Sequence, residues 1–186
     1  MQDKQTMLIT GNPKYGVAGA LFKIYPNASF VCRTNGYDLN TNKGQQEVVE
    51  LSLLYDIFIN CSALWKFQQT VLLKLVWDAW FKAEKKGHII NIGSTADRTN
   101  KGTDRLYNSE KKALKDFSNA LGLKGIWGNT GIQTSYVAFG TMSNKAEEHP
   151  TRKLIDIDEV AQYIKWVLDS PTSLNINELS IDPIQE

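Results

Sequence analysis

Residues 88–115 read HIINIGSTADRTNKGTDRLYNSEKKALK. The run from His88 to Ile92 is apolar and β-branched, and its length suits a buried strand. It ends at Gly93-Ser94, which puts a hydroxyl at a strand's carboxyl end. A polar loop containing Gly102 follows, and then Tyr107-Asn-Ser-Glu-Lys111. On a helix, positions four apart lie on one face, one turn from each other. An ammonium beside a phenol favours phenolate, by about one to a few pKa units where the site is partly buried. Such a phenol can pass a proton to or from an alcohol oxygen, and Ser94 can hold that oxygen. A Tyr-x-x-x-Lys spacing also arises by chance in ordinary helices. It carries weight only if the rest of the chain builds a cofactor site beside it.

Working outward to the amino-terminal side, Met7 to Thr10 is a short apolar strand. Gly11-Asn-Pro-Lys-Tyr-Gly16-Val-Ala-Gly19 comes next, then an amphipathic helix over residues 20–25. Strand, glycine-rich turn and helix in this order aim backbone N–H groups at a phosphate. A second strand over residues 29–32 ends at Arg33. In a dinucleotide fold an acidic residue at that place binds the ribose hydroxyls of NAD, and an arginine accepts the 2′-phosphate of NADP. Arg33, with Lys14 in the glycine loop, therefore points to NADP in preference to NAD. Residues 37–39 read as a brief third strand, 43–54 as a helix and 55–60 as a central strand. That strand ends in the small polar turn Asn60-Cys61-Ser62-Ala63.

Residues 64–86 read as one long helix whose aromatic residues cover two faces, one for the sheet and the other for a second subunit or, in the alternative, for a neighbouring helix of the same chain. The helix carrying Tyr107 is expected to stop at Gly122 and Gly125. A sixth strand over 130–138 then leads to Gly140, followed by a polar, mobile loop over 143–153. A helix over 159–168, capped from Asp156 and Asp158, and a strand over 176–181 complete the pattern. Alternating strands and helices imply an open, mostly parallel sheet with helices on both faces. Ligands bind such sheets outside the strands' carboxyl ends, where the glycine loop, Arg33, Asn60, Ser94 and Gly140 all fall.

Composition sets the outer limits. A chain of 186 residues, 42% hydrophobic, suits one domain with a real core. A net charge of +1 gives no bulk attraction to nucleic acid or to a membrane surface. No apolar run is long enough for a membrane span, and no secretory signal precedes the first strand. Cys32 and Cys61 read as core thiols of a reducing, cytoplasmic protein. Two histidines, His88 and His149, are too few and too isolated for a metal site.

With these residues in view, the chain resembles a short-chain dehydrogenase/reductase, from Met7 to Pro183, as a short variant. Ser94 with Tyr107-x-x-x-Lys111, at a spacing of thirteen residues, is the most specific match. Gly11 to Ala18 resembles the cofactor loop, 60–63 its Asn-Asn-Ala-Gly turn, 138–140 its Asn-Pro-Gly turn and 177–183 its last strand. The resemblance implies a Rossmann-like doubly wound domain over 1–186, with seven strands in the order 3-2-1-4-5-6-7. It implies an NADP(H)-dependent oxidoreductase interconverting a carbonyl and an alcohol. Tyr107 is then the general acid/base, Lys111 binds the nicotinamide ribose, and Ser94 holds the substrate carbonyl. Gly11, Asn12, Lys14, Tyr15, Gly16 and Val17 wrap the pyrophosphate. Asp38 and Leu39 border the adenine, and Asn60, Cys61 and Ser62 line the adenosine. Gly140 and Met142 lie against the nicotinamide. The helices over 64–86 and 107–121 make a homodimer or homotetramer. The chain departs from the family pattern in three ways. The glycine loop has an extra residue and Ala18 for its third glycine. The loops around the substrate are short. The helical Asn of the proton relay is missing, with Gln68 or Gln69 near its place. A non-catalytic dinucleotide-binding protein of the same fold is the alternative these departures raise.

Overall fold

The computed structural model describes residues 5–98 and 104–185; the expected loop at Gly102 lies outside them. Six strands make one parallel sheet: β1 (Met7–Thr10), β2 (Ser29–Val31), β3 (Ile57–Asn60), β4 (Gly87–Ile92), β5 (Ile132–Phe139) and β6 (Glu178–Ile181). Their order is β2-β1-β3-β4-β5-β6. The order reverses direction between β1 and β3, and that switch point opens a crevice at the strands' carboxyl ends.

Among the described residues five α-helices cover the sheet: α1 (Gly16–Ile24), α2 (Asn42–Ser52), α3 (Gln68–Lys82), α4 (Leu106–Trp127) and α5 (Ile157–Leu168). Neighbouring residues of each strand alternate between two cores. Leu8, Phe58, Ile89 and Tyr136 face α2, α3 and α4, where Trp77 and Trp80 are fully buried. Ile9, Ile59, Ile90 and Val137 face the opposite way, toward Leu21 of α1 and Ile164 of α5. Burial on both faces explains why the central strands read as unbroken apolar runs.

Among the described residues the sheet has six strands, one fewer than expected. Residues 37–39 are not a strand. The chain leaves β2 through a 3-10 turn over Arg33–Asn35 and a left-handed Gly36. The Asp38 carbonyl then accepts from the Thr41 backbone and hydroxyl, and the Leu39 carbonyl accepts from Gln45 Nε2. With its polar groups satisfied by the start of α2, the segment has no need of a ladder partner. Leu39 drops into the core beside Val48 and Val49.

Helix α3 starts at Gln68 rather than at residue 64, because Lys66 and Phe67 are both left-handed (φ 57° and 60°). Its two-faced apolarity is used within the chain, by the sheet on one side and by α2 and α4 on the other. Lys124 covers the stacked Trp77 and Phe81 rings from α4, 4.5 Å and 5.2 Å from their centroids.

Helix α4 does not stop at its glycines. It runs to Trp127, and Gly122 and Gly125 are buried where it crosses β5. A Cβ on Gly122 would sit 3.0 Å from the Thr134 carbonyl, and one on Gly125 would overlap the Ile132 carbonyl. The glycines let helix and strand approach closely. Helix α1 begins at Gly16, earlier than the expected residue 20, and so takes in Val17 to Gly19. Asp156 caps α5 by accepting from the Asp158 backbone, as the sequence suggests. The segment after β5 is a 3-10 turn over Ser143–Lys145, tied back by a bridge between Met142 and Ile155.

Candidate active site

The crevice is built first from backbone. After β4, the Gly93 N–H donates to the Val137 carbonyl (2.8 Å). Any Cβ on Gly93 would overlap the Tyr136 ring. That ring reaches the junction of three elements. Its hydroxyl accepts from the Ser94 N–H (3.2 Å) and lies 3.5 Å from the Ser94 carbonyl and 3.4 Å from the Lys111 carbonyl. Tyr136 thus pins the end of β4 to the first turns of α4. Burial pushes its own ionisation well above the ordinary phenol range. Sequence reasoning passed over this residue. The signal was present: a phenol inside an apolar strand needs a polar partner for its hydroxyl.

Ser94 opens a short 3-10 turn, Thr95–Arg98. Its Oγ accepts from the Ala96 N–H (3.3 Å) and its carbonyl from the Asp97 N–H (3.1 Å). Asn108 Nδ2 donates to the Ala96 carbonyl (2.9 Å), which ties the turn to the start of α4. Farther along, Lys115 pairs with Glu178 (2.7 Å) and lies 3.9 Å from buried Asp97, and Arg98 pairs with Asp182 (2.6 Å).

Tyr107 is half-buried in the first turn of α4, with the Lys111 Nζ 5.7 Å from its ring centroid. Lys111 is 6% exposed. Its ammonium donates to Gln69 Oε1 (2.7 Å) and to the Ile92 carbonyl (3.2 Å). Desolvation lowers its pKa to about 8, against smaller raising effects of Cys61 and Glu110. Burial likewise pushes the Cys61 thiol up to about 12.

The two candidate glutamines separate cleanly. Gln68 accepts from Gln45 Nε2 (2.7 Å) and joins α3 to α2. Gln69 points into the site, 4% exposed, with Nε2 donating to the Asn60 (2.8 Å) and Ile92 (3.0 Å) carbonyls. Asn60 is fully buried, and its Nδ2 donates to the Gln69 carbonyl (2.9 Å) and Asn91 Oδ1 (3.0 Å). Its side chain supports the site from beneath, where the sequence suggested a ligand-lining role.

On the other side of the switch point, Thr10 Oγ1 accepts from the Cys61 (2.8 Å) and Ser62 (3.0 Å) N–H groups. Thr10, also missed from sequence, locks the 60–63 turn against the glycine loop. In that loop, Asn12 Oδ1 accepts from the Lys14 N–H (3.0 Å), and Asn12 Nδ2 reaches Thr34 Oγ1 (3.4 Å). The extra loop residue is accommodated by this turn. Gly16 is left-handed (φ 56°), and the start of α1 has no side-chain cap. Lys14, Tyr15 and Arg33 are exposed, and the Asn12–Thr34 contact brings their two loops together. Val17 and Leu39 bury their side chains in the two cores, so only their backbone faces a ligand. Asp38 is half-buried, its Oδ1 accepting from Asn40 N–H (3.1 Å). Gly140 continues the ladder to Ile181, and Met142 is half-buried beside the Ile155 bridge. Cys32 is not in the core as expected; it is half-exposed with Sγ 3.0 Å from Thr34 Oγ1.

Among the described residues there is no cluster of side chains able to hold a metal ion, and no helix long and apolar enough to cross a membrane.

No protein-family model matches the chain. Among curated proteins it is similar to an uncharacterized oxidoreductase of Staphylococcus haemolyticus, 24% identical over 160 residues, covering 74% of this chain and 68% of that one. Uncharacterized oxidoreductases of Staphylococcus aureus are 25% identical over 104 residues, which is 54% of this chain and 44% of theirs. Among solved structures it is similar to a short-chain dehydrogenase/reductase family protein (17% identity, TM-score 0.74, 98% and 97% of the two chains). A 4-hydroxyisoleucine dehydrogenase complexed with NADH superposes with TM-score 0.72 (15% identity, 96% and 97% covered). A serine dehydrogenase complexed with NADP+ does so with TM-score 0.71 (16% identity, 95% and 94% covered). The six-stranded parallel sheet, its switch-point crevice and these superpositions agree: the chain has the fold seen in solved short-chain dehydrogenase/reductase structures.

Proposed function

We propose that the protein is a nicotinamide-dinucleotide-dependent oxidoreductase that interconverts a carbonyl and an alcohol, with Ser94, Tyr107 and Lys111 as its reacting set. One observation carries this reading. A buried ammonium, one helical turn from a half-buried phenol, is fixed at the end of the strand that leads into Ser94. Burying a cationic group is expensive, and a site of this kind is where such an expense is expected.

The residues present suit a dinucleotide. The uncapped start of α1 leaves backbone N–H groups for a pyrophosphate, and Gly16 keeps the approach open; a Cβ there would meet only Asn144, at 3.8 Å. Gly11, Asn12, Lys14 and Tyr15 would complete the cradle. Cys61 and Ser62 would flank the adenosine, Asp38 and the Leu39 backbone the adenine, and Gly140 and Met142 the nicotinamide. When bound, the nicotinamide supplies or accepts the hydride. Ser94 Oγ holds the substrate oxygen by a hydrogen bond. Tyr107 delivers a proton to that oxygen in reduction and removes it in oxidation. The Lys111 ammonium stabilises negative charge on the phenol oxygen and has donor capacity left for a ribose hydroxyl. Arg33 and Lys14 favour NADP over NAD by meeting a 2′-phosphate with positive charge.

The outer surfaces of α3 and α4 keep Val71, Phe81, Leu123, Ile126 and Trp127 exposed. They support association of two or four copies, with light scattering as the check.

The function is tested by titrating NADPH and NADH by fluorescence and then following dinucleotide consumption across a panel of small ketones, aldehydes and hydroxy acids. Turnover with at least one member is the expected result. Tight binding with no turnover across the panel would favour the non-catalytic reading of the same site.

A further inference from the structure

The hydroxyl of Tyr136 and the carboxylate of Asp97 are each left incomplete, in complementary ways. Tyr136 is fully buried. Its oxygen accepts from the Ser94 N–H at 3.2 Å, which leaves its own proton to be placed. The Lys111 and Ser94 carbonyls, at 3.4 Å and 3.5 Å, stand at the outer limit of a hydrogen bond. The Asp97 side chain is fully buried as well, and neither of its oxygens takes a hydrogen bond from the described residues. Lys115 lies 3.9 Å away and is already paired with Glu178 at 2.7 Å. A buried carboxylate without a donor is costly. The backbone brings the two groups together. The Asp97 N–H donates to the Ser94 carbonyl (3.1 Å), and the turn so closed sets the carboxylate facing the Tyr136 hydroxyl, with no hydrogen bond closed between them in this structure. Gly93 leaves the hydroxyl its room, since a Cβ there would overlap it.

Resting on the dehydrogenase reading, we propose that Asp97 is the positioning residue of Ser94: its carboxylate takes the Tyr136 hydroxyl hydrogen bond and so turns that oxygen's lone pair onto the Ser94 N–H. A hydroxyl has one proton and two lone pairs, so fixing the first aims the others. The bond orients and transfers nothing, because burial keeps the proton on Tyr136. The Gly93 N–H is held by the sheet, through the Val137 carbonyl at 2.8 Å. The next N–H, that of Ser94, is held by Tyr136. The place of the Ser94 hydroxyl therefore depends on an acid three residues further along the chain.

The direct readout is hydrogen exchange of single backbone amides in the full chain labelled with nitrogen-15, with Ser94 assigned by Ser94→Ala. Asp97→Ala removes the acceptor, and Lys115 keeps Glu178, so no charge is stranded. The Ser94 amide then exchanges about tenfold faster or more, while the Gly93 amide stays within about threefold of wild type. Asp97→Asn keeps an acceptor oxygen and returns the Ser94 amide to within about threefold of wild type. If the alanine chain does not fold, Asp97→Val carries the same test. An unmoved Ser94 amide overturns the proposal. So does acceleration of Ser94 and Gly93 by one common factor, which is general loosening of the strand end. On a substrate that the wild type accepts, Asp97→Ala lowers kcat/KM by about tenfold, but by less than about threefold in a Ser94→Ala background. The same factor in both backgrounds overturns action through Ser94. Titrating NADPH and NADH into the same samples separates this inference from the reading beneath it. Selective loss at Ser94 with no dinucleotide bound by the wild type leaves the positioning role standing and sinks the dehydrogenase assignment. Tight wild-type binding with an unmoved Ser94 amide does the reverse.

Discussion

At the scale of single residues, Lys111 makes the most specific demand. Its folded pKa, about 8, lies below the ordinary lysine value of 10.5. Below pH 8 it is protonated folded and unfolded, and the cost of burying the charge is present in full. Above pH 8 the folded chain releases the proton first, so the unfolded chain binds more protons and stability rises with pH until about 10.5. On the proposed mechanism activity runs the other way, because the neutral amine no longer stabilises the phenol oxygen. Denaturant unfolding of wild type and Lys111→Met across this window should show the wild type gaining on the variant by about 2 kcal/mol, while wild-type turnover falls above pH 8. Parallel stability curves would show that the lysine is not buried as a cation. The Ser-Tyr-Lys spacing was legible in the sequence because helical periodicity is local. Tyr136 and Thr10 were not, because each acts through a partner 42 to 52 residues away, and Gln69 could be named only beside Gln68, since its partner Lys111 lies 42 residues on.

Elements were legible where apolar periodicity was strong and failed where tertiary contacts overrode it. Tyr37 to Leu39 had the composition of a strand, yet the start of α2 takes its carbonyls. Gly122 and Gly125 looked like helix breakers because a helix interior disfavours glycine by about 1 kcal/mol relative to alanine. Their function is close approach to β5. Gly125→Ala should therefore destabilise the protein by about 1–3 kcal/mol despite its gain in helix propensity, since a Cβ would overlap the Ile132 carbonyl. Thermal or denaturant unfolding measures this; a stabilised variant would mean that α4 stands off the strand. Two left-handed residues before α3 could not be foreseen, since neither Lys66 nor Phe67 favours that conformation.

For the whole molecule, strand alternation was enough to give the parallel sheet and the carboxyl edge where the candidate residues gather, while the strand order came from the family resemblance, with one strand too many. The proposed preference for NADP is a property of that edge, since Lys14 and Arg33 come from separate loops joined through Asn12 and Thr34. Charge reversal, Arg33→Glu, should weaken NADPH by about tenfold or more and NADH much less, by fluorescence titration. Equal weakening would remove the preference for NADP. Substrate identity was not legible in the sequence, because substrate contacts in this fold are made by loops rather than by the sheet.

The central claim is that Tyr107 moves the proton while the sheet edge binds the dinucleotide. Tyr107→Phe removes one hydroxyl from a half-buried ring and leaves the glycine loop untouched. Its turnover, measured beside its NADPH affinity on a substrate accepted by the wild type, should fall by about a hundredfold or more with affinity changed less than about threefold. Turnover equal to wild type at the same affinity would contradict the account.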